Sequence, residues 1–209
     1  MSRKDIKLRR KEKINHILAT ATKVFAEKGY AGASTNEIAD MAGISKRTMY
    51  YYMGDKDTLY TKVLEQMLDE AYSLLDVGID ANQPVELKLA QFIHSVAQIA
   101  NNRPLHAIAL RELLSGGTLP KIVTDSLYRM FTVFTEILEE GTKKGAFNDK
   151  NPVIMGLMLF SFFVYWDLVT PLLTDRNKVT DAIKVFGADI SDQLIDEVQS
   201  IFLKFLTTK

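Results

Sequence analysis

Ser45-Lys46-Arg47-Thr48, followed after Met49 by Tyr50-Tyr51-Tyr52, places two aliphatic hydroxyls, two cations and three phenols within eight residues. Such groups donate hydrogen bonds to phosphate oxygens and to the edges of bases, and together they suit a nucleic-acid surface. An ordinary helical hairpin could carry the same Lys and Arg as a solvated face. Three consecutive tyrosines, however, cannot all face a core, so at least one phenol is at the surface. Catalytic chemistry has no comparable footing. His16, His94 and His106 fall on three separate predicted helices, no HExxH, phosphate-binding loop or GxSxG occurs, and no acid pair has a motif around it. The absence of cysteine removes disulfides, thiolate metal sites and cysteine nucleophiles together. No catalytic residue, metal site or cofactor is therefore expected.

The elements that must position those side chains are helical. Apolar residues recur at helical spacing almost throughout the 209 residues, and no β-branched run bounded by turns suggests a strand. A first helix is predicted over about 10–28, closed by Gly29 as a residue that tolerates a left-handed conformation. Ser34-Thr35-Asn36-Glu37 reads as a capping box opening a second helix over Ile38, Ala39 and Met41. Ala42-Gly43-Ile44 is the turn, and Ser45 can cap a third helix running to about Tyr51. Asp55 or Asp57 can cap a long fourth helix. Beyond Gly78 the punctuation is proline, with Pro84, Pro104, Pro120 and Pro152 at predicted helix starts, and a last helix covers about 190–207. The stretch 174–188 gives no clear element. The architecture expected is all-α, about nine helices, with a boundary near residue 55: residues 1–54 as a small module and 55–209 as a larger helical body.

Charge divides along the same line. The chain as a whole holds 26 Lys+Arg and 26 Asp+Glu, which at face value argues against nucleic acid. Residues 1–60, however, carry 12 cations against 7 acids, a surplus of five that the remainder cancels. The first thirteen residues alone hold seven cations and two acids. This leading segment could track phosphates or enter a minor groove, or it could be a solvated tail. No apolar segment of signal-peptide length follows it, so a cytoplasmic protein is expected. Residues 153–166 lack charge over 14 positions, short of the roughly 20 needed to span a bilayer, and are expected inside protein rather than lipid.

Two short helices joined by a glycine turn can lay one helix in a major groove while the other braces on the backbone. The segment Ile17-Leu18-Ala19-Thr20-Ala21, Phe25, Gly29-Tyr30, Ser34-Thr35-Asn36-Glu37-Ile38-Ala39, Ala42-Gly43-Ile44-Ser45-Lys46-Arg47-Thr48-Met49-Tyr50-Tyr51-Tyr52-Met53, Lys56 and Leu59 closely resembles the DNA-binding domain of the tetracycline-repressor (TetR) family. The resemblance covers about residues 10–60. It implies a three-helix helix-turn-helix domain, with Thr35, Ser45, Tyr50, Tyr52 and Lys56 as phosphate contacts and Lys46, Arg47 and Thr48 facing bases. Ser34 and Tyr51 complete the candidate DNA-binding set. Arg47 stands where many members have glycine, which implies an extra base or phosphate contact, and Met53 replaces a usual aromatic.

In that family the remaining helices dimerise and hold a small-molecule inducer. By position, the candidate lining is Met67, Tyr72, Phe92, His94, Gln98, Arg111, Tyr128, Phe131, Phe134, Met158, Phe162 and Trp166, although aromatic and Met residues at helical spacing also serve as plain core. His94 and Arg111 stand out as polar groups in largely apolar helices. A homodimer reading a palindromic operator is expected, paired through helices near 152–173 and 190–207. The expected function is transcriptional repression relieved by a hydrophobic or aromatic effector. The alternative is a DNA-bound protein of the same fold controlled by a protein partner.

Overall fold

The computed structural model describes residues 3–76, 82–114, 120–173 and 190–207. Among these there are nine helices and no strand: α1 Arg3–Gly32, α2 Thr35–Met41, α3 Lys46–Met53, α4 Lys56–Asp76, α5 Val85–Ala100, α6 Arg103–Leu114, α7 Lys121–Lys143, α8 Pro152–Leu173 and α9 Asp192–Thr207. The all-α reading holds. The stretch 174–188 and the turns at 78 and 115–117 lie outside the described residues. The chain divides into two compact units, one of Met1–Asp69 with Pro104–Thr124, the other of Glu70–Arg103 with Asp125–Lys209.

In the first unit α1 starts at Arg3, not near residue 10. Arg, Lys, Leu and Ile are all tolerated in helices and no Gly or Pro interrupts them before residue 29, so charge alone does not stop the helix. Gly29 breaks its run with a kink, at φ +69°, before a last turn to Gly32. Ile17, Leu18, Ala21, Val24 and Phe25 are buried on one face, and α2 and α3 pack on it with Ile38, Ala39, Met49 and Met53 inside. Leu59, Val63 and Leu64 of α4 and Leu105 and Ile108 of α6 are also buried. Tyr60 sets its ring edge against Phe25, with centroids 4.9 Å apart, and lies 5.0 Å from Tyr30.

The second unit has its own core. Leu89, Phe92, Ile93 and Val96 of α5 meet α8 through Met155, Leu159 and Phe163, and α9 through Leu194, Ile195, Val198 and Phe202, with Phe134, Ile137 and Leu138 of α7 in the same cluster. Gly156 of α8 makes room for an aromatic ring: a Cβ there would stand 2.7 Å from Phe131 Cε1. Buried Lys88 donates to both oxygens of Glu140 at 2.9 and 2.8 Å, and Lys144 adds a third bond at 2.6 Å. The prolines act as expected, Pro84 and Pro120 immediately before α5 and α7, and Pro152 as the first residue of α8. No described helix is long and apolar enough to cross a membrane. On α8 apolar residues occupy both sides, Met155, Leu159 and Phe163 inward, and Val153, Ile154, Leu157, Met158 and Tyr165 exposed.

Candidate nucleic-acid interface

Three local devices fix α2 and α3. Ser34 caps α2 by accepting from the Asn36 amide at 3.2 Å. The reciprocal half of the expected capping box is replaced, because the Glu37 carboxylate pairs with Lys28 of α1 instead of reaching back to the cap. A nearby ammonium offers a charge-assisted bond, which is stronger than one to a neutral amide. Gly43 at φ +64° then turns the chain. Ile44 N donates to Ala39 O at 3.0 Å and Gly43 N to Asp40 O at 3.1 Å, the paired bonds of a Schellman ending. Ser45 opens α3 by accepting from the Thr48 amide at 3.1 Å, and its hydroxyl also lies 2.8 Å from Thr48 Oγ1.

Burial then sorts the side chains of α3. Met49 and Met53 are fully buried, while Ser45, Lys46, Arg47, Tyr50 and Tyr51 are exposed and Thr48 and Tyr52 half-buried. The Lys46 ammonium lies 5.9 Å from the Tyr50 ring centroid, and Tyr51 meets Tyr52 edge-on at 5.1 Å. One face of a rigidly seated helix thus presents two cations, a hydroxyl and two phenols to the outside. Ser34 is exposed and Thr35 half-buried at the start of α2. Lys56 is held elsewhere, 4.5 Å over the Tyr30 ring and 3.5 Å from the Ala31 carbonyl.

Other side chains that brace the face have no local signal in the sequence. Lys62 of α4 reaches the Tyr52 and Met53 carbonyls at the end of α3, each at 3.4 Å. Lys13 of α1 stands 6.0 Å over the Tyr52 ring. The Tyr30 hydroxyl donates to Asp57, which leaves Asp55 as the cap of α4, accepting from Thr58 N at 2.8 Å. Hydrogen bonds from the Thr58 hydroxyl and amide hold the Asp55 carboxyl below the usual carboxylate range.

The candidate effector residues are spread over both units. In the second unit Phe92 stacks on Phe134 at 5.4 Å, Phe160 bridges Phe131 to both, and Phe162 lies 5.8 Å from Trp166. His94 is exposed with Nε2 3.5 Å from Gln98 Nε2, and Tyr128 and Met158 are exposed. In the first unit Met67 is buried, whereas Arg111 is exposed with its stem against Gly29. His94 and Arg111 are therefore solvated, so the desolvation cost that singled them out does not arise. The side chain of Tyr72 lies outside the described residues. A cleft of about 140 Å³ beside Glu139, Lys143 and Asp149 touches none of these candidates and is small for an organic ligand.

Comparison with known proteins gives a consistent picture. Residues 17–63 match the family model of bacterial regulatory proteins, tetR family. The chain is 23% identical over 190 residues to the HTH-type transcriptional regulator RutR of Escherichia coli strain K12, covering 90% of this chain and 87% of the relative. It is 27% identical over 169 residues to the HTH-type transcriptional repressor NicS of Pseudomonas putida, covering 73% and 74%. Its fold is similar to that of a bacterial regulatory protein in the tetR family from Rhodococcus RHA1, with a TM-score of 0.70 at 20% identity over 93% of this chain and 96% of that chain.

Proposed function

We infer, for a chain that belongs to the tetR family of bacterial regulatory proteins, that it is a cytoplasmic transcriptional repressor that binds a palindromic operator as a homodimer and is released by a hydrophobic or aromatic effector. The observation that carries the reading is the division of α3, with Met49 and Met53 locked inside and Lys46, Arg47 and Tyr51 outside. Residues 1–54 read DNA in this proposal and 55–209 dimerise and take the effector. Lys46, Arg47 and Thr48 address bases, and Ser34, Thr35, Ser45, Tyr50, Tyr51 and Tyr52 address phosphates and flanking edges. Lys56 joins them by exchanging its contact with the Tyr30 ring for a phosphate.

One such helix reads too few base pairs for useful specificity, so a second copy is needed, with half-sites roughly 34 Å apart. The exposed apolar side of α8, and the exposed Ile201 and Phe205 of α9, are apolar surface of the kind a lone subunit would not leave in water. The aromatic side chains of the second unit, Phe92, Phe131, Phe134, Phe162 and Trp166, favour an apolar or aromatic effector. Release requires only that the effector prefer a body conformation in which the two α3 helices no longer match the half-site spacing. The repressor sense is supported by the similarity to NicS.

Selection of bound sequences from random duplex DNA tests the reading. A palindrome should emerge, and a Lys46→Ala, Arg47→Ala, Tyr50→Ala variant should lose it. Recovery of no palindrome, or undiminished binding by the variant, overturns the proposal. Release of the recovered operator by apolar and aromatic probe compounds, scored by fluorescence anisotropy, tests the effector class.

A further inference from the structure

Lys7, Lys11, Ile14, Leu18, Ala21 and Phe25 follow one another on α1 at spacings of four, three, four, three and four, which is a single face of a continuous helix. Arg10, Ile17 and Val24 run beside them at intervals of seven. From Ile17 onward this face is buried, and it is the face on which α2 and α3 pack. Ile14 is half-buried, and Lys7, Arg10 and Lys11 are exposed. The side of the helix that grips the domain therefore turns from apolar to cationic where the helix outruns it. Residues 3–13 form an overhang about 16 Å long at about 1.5 Å per residue.

The acids of this overhang share one side, where Arg9 lies four residues from Asp5 and three from Glu12, while the face that continues the buried one carries only cations. Asp5 and Glu12, seven residues apart, fall on the opposite side of the helix from Lys7, Lys11 and Ile14. The overhang also begins beside the recognition helix, since Lys13 stands over the ring of Tyr52 near the end of α3.

We propose that the overhang is a second DNA-contacting element, whose Lys7, Arg10 and Lys11 face grips backbone phosphates flanking the half-site read by α3. The proposal rests on reading α3 as the recognition helix and extends it by a named face. Guanidinium and ammonium groups suit phosphate oxygens without reading sequence. No breaker occurs in α1 before Gly29, so the cations project from a formed helix and need no disordered tail to fold on binding.

The test uses the full chain and an operator recovered by selection, made once with about one helical turn of extra duplex on each side and once trimmed to the half-sites. Lys7→Gln/Arg10→Gln is compared with Arg9→Gln/Lys23→Gln, which removes the same charge from the other side of α1. On the long duplex the inner pair should flatten the plot of log affinity against log salt by about 0.9 for each phosphate no longer neutralised, hence close to 2 per chain. The outer pair should leave the slope nearly unchanged, and trimming should abolish the difference. Equal flattening by both pairs, or none by the inner pair, overturns the overhang's role while operator selection stands. Failure to select any operator overturns the recognition-helix reading with it. Binding to anionic vesicles that only the inner pair weakens, with an unchanged DNA slope, would assign the face to lipid and also overturn the proposal.

Discussion

The ammonium of Lys62, in α4, lies 3.4 Å from the carbonyl oxygen of Tyr52, the penultimate residue of α3, and equally close to that of Met53. A cation thus closes the C-terminal end of the helix proposed to read DNA, where the last carbonyls have no partner within the helix. Lys62→Met should cost about 0.3–1 kcal/mol of stability, the usual worth of a cation at a helix C-terminus. Because α3 is only eight residues long, fraying there should also weaken operator binding. Thermal melts and anisotropy titrations check both, and a variant with native affinity would show the contact to be incidental.

Met49 and Tyr51 are two residues apart on α3 and should respond in opposite ways. Met49 is fully buried, so Met49→Ala should destabilise the domain by about 2–5 kcal/mol and lose DNA binding through unfolding. Tyr51 is 74% exposed, so Tyr51→Ala should change stability by less than about 0.5 kcal/mol while lowering operator affinity. Circular dichroism melts paired with binding curves separate the two. A Tyr51→Ala protein that melts early would contradict the assignment of its face.

The helix-turn-helix was legible because its punctuation is local. Ser34, Gly43 and Ser45 act within two to five residues of themselves, and each does what its type and position demand. The bracing of that unit was not legible, since Lys62–Tyr52, Lys13–Tyr52 and Tyr30–Asp57 join residues well apart in the chain. Composition also fell short in two places. The basic residues 3–13 leave both a phosphate-tracking arm and a solvated tail open in the sequence, and the structure makes them the first turns of α1. His94 and Arg111 were singled out by apolar neighbours in sequence, but those neighbours do not say which side of a helix a residue takes, and both face solvent.

Gly43 has φ +64°, and a Cβ placed there would meet nothing within 4 Å. The cost of Gly43→Ala is therefore backbone strain alone, about 1–2 kcal/mol. Asn visits the left-handed region more readily, so Gly43→Asn should recover part of that stability. Denaturant unfolding of the three proteins should rank them Gly, Asn, Ala. An Ala variant as stable as the parent would mean that the turn relaxes to another conformation.

Glu140 should confer acid sensitivity on the second unit. Bonds from Lys144 and then Lys88 hold its carboxyl below the ordinary value, so the folded state favours the ionised form more than the unfolded chain does. Its contribution is complete above the unfolded carboxylate range, near pH 4.3, and is lost as pH falls through the lower folded value. Melting temperatures of the parent and Glu140→Gln should differ most near neutrality and converge in acid. A difference that does not vary with pH would mean that the substitution acts through packing and not through charge.

Ile154 and Leu157 of α8 are 57% and 56% exposed in the single chain, next to Met158 and Tyr165, which are exposed too. Burying one such aliphatic side chain is worth about 1.5–3 kcal/mol. A twofold interface repeats every substitution, so Ile154→Glu/Leu157→Glu removes four apolar side chains and places four carboxylates in the seam. The inward residues Met155, Leu159 and Phe163 are untouched, so the helical content of the subunit should be preserved. Sedimentation velocity at micromolar concentration should then show a folded monomer where the parent is a dimer, and operator affinity should fall because two half-sites are no longer read together. A variant that remains dimeric would remove α8 from the interface and leave its exposed side to another partner.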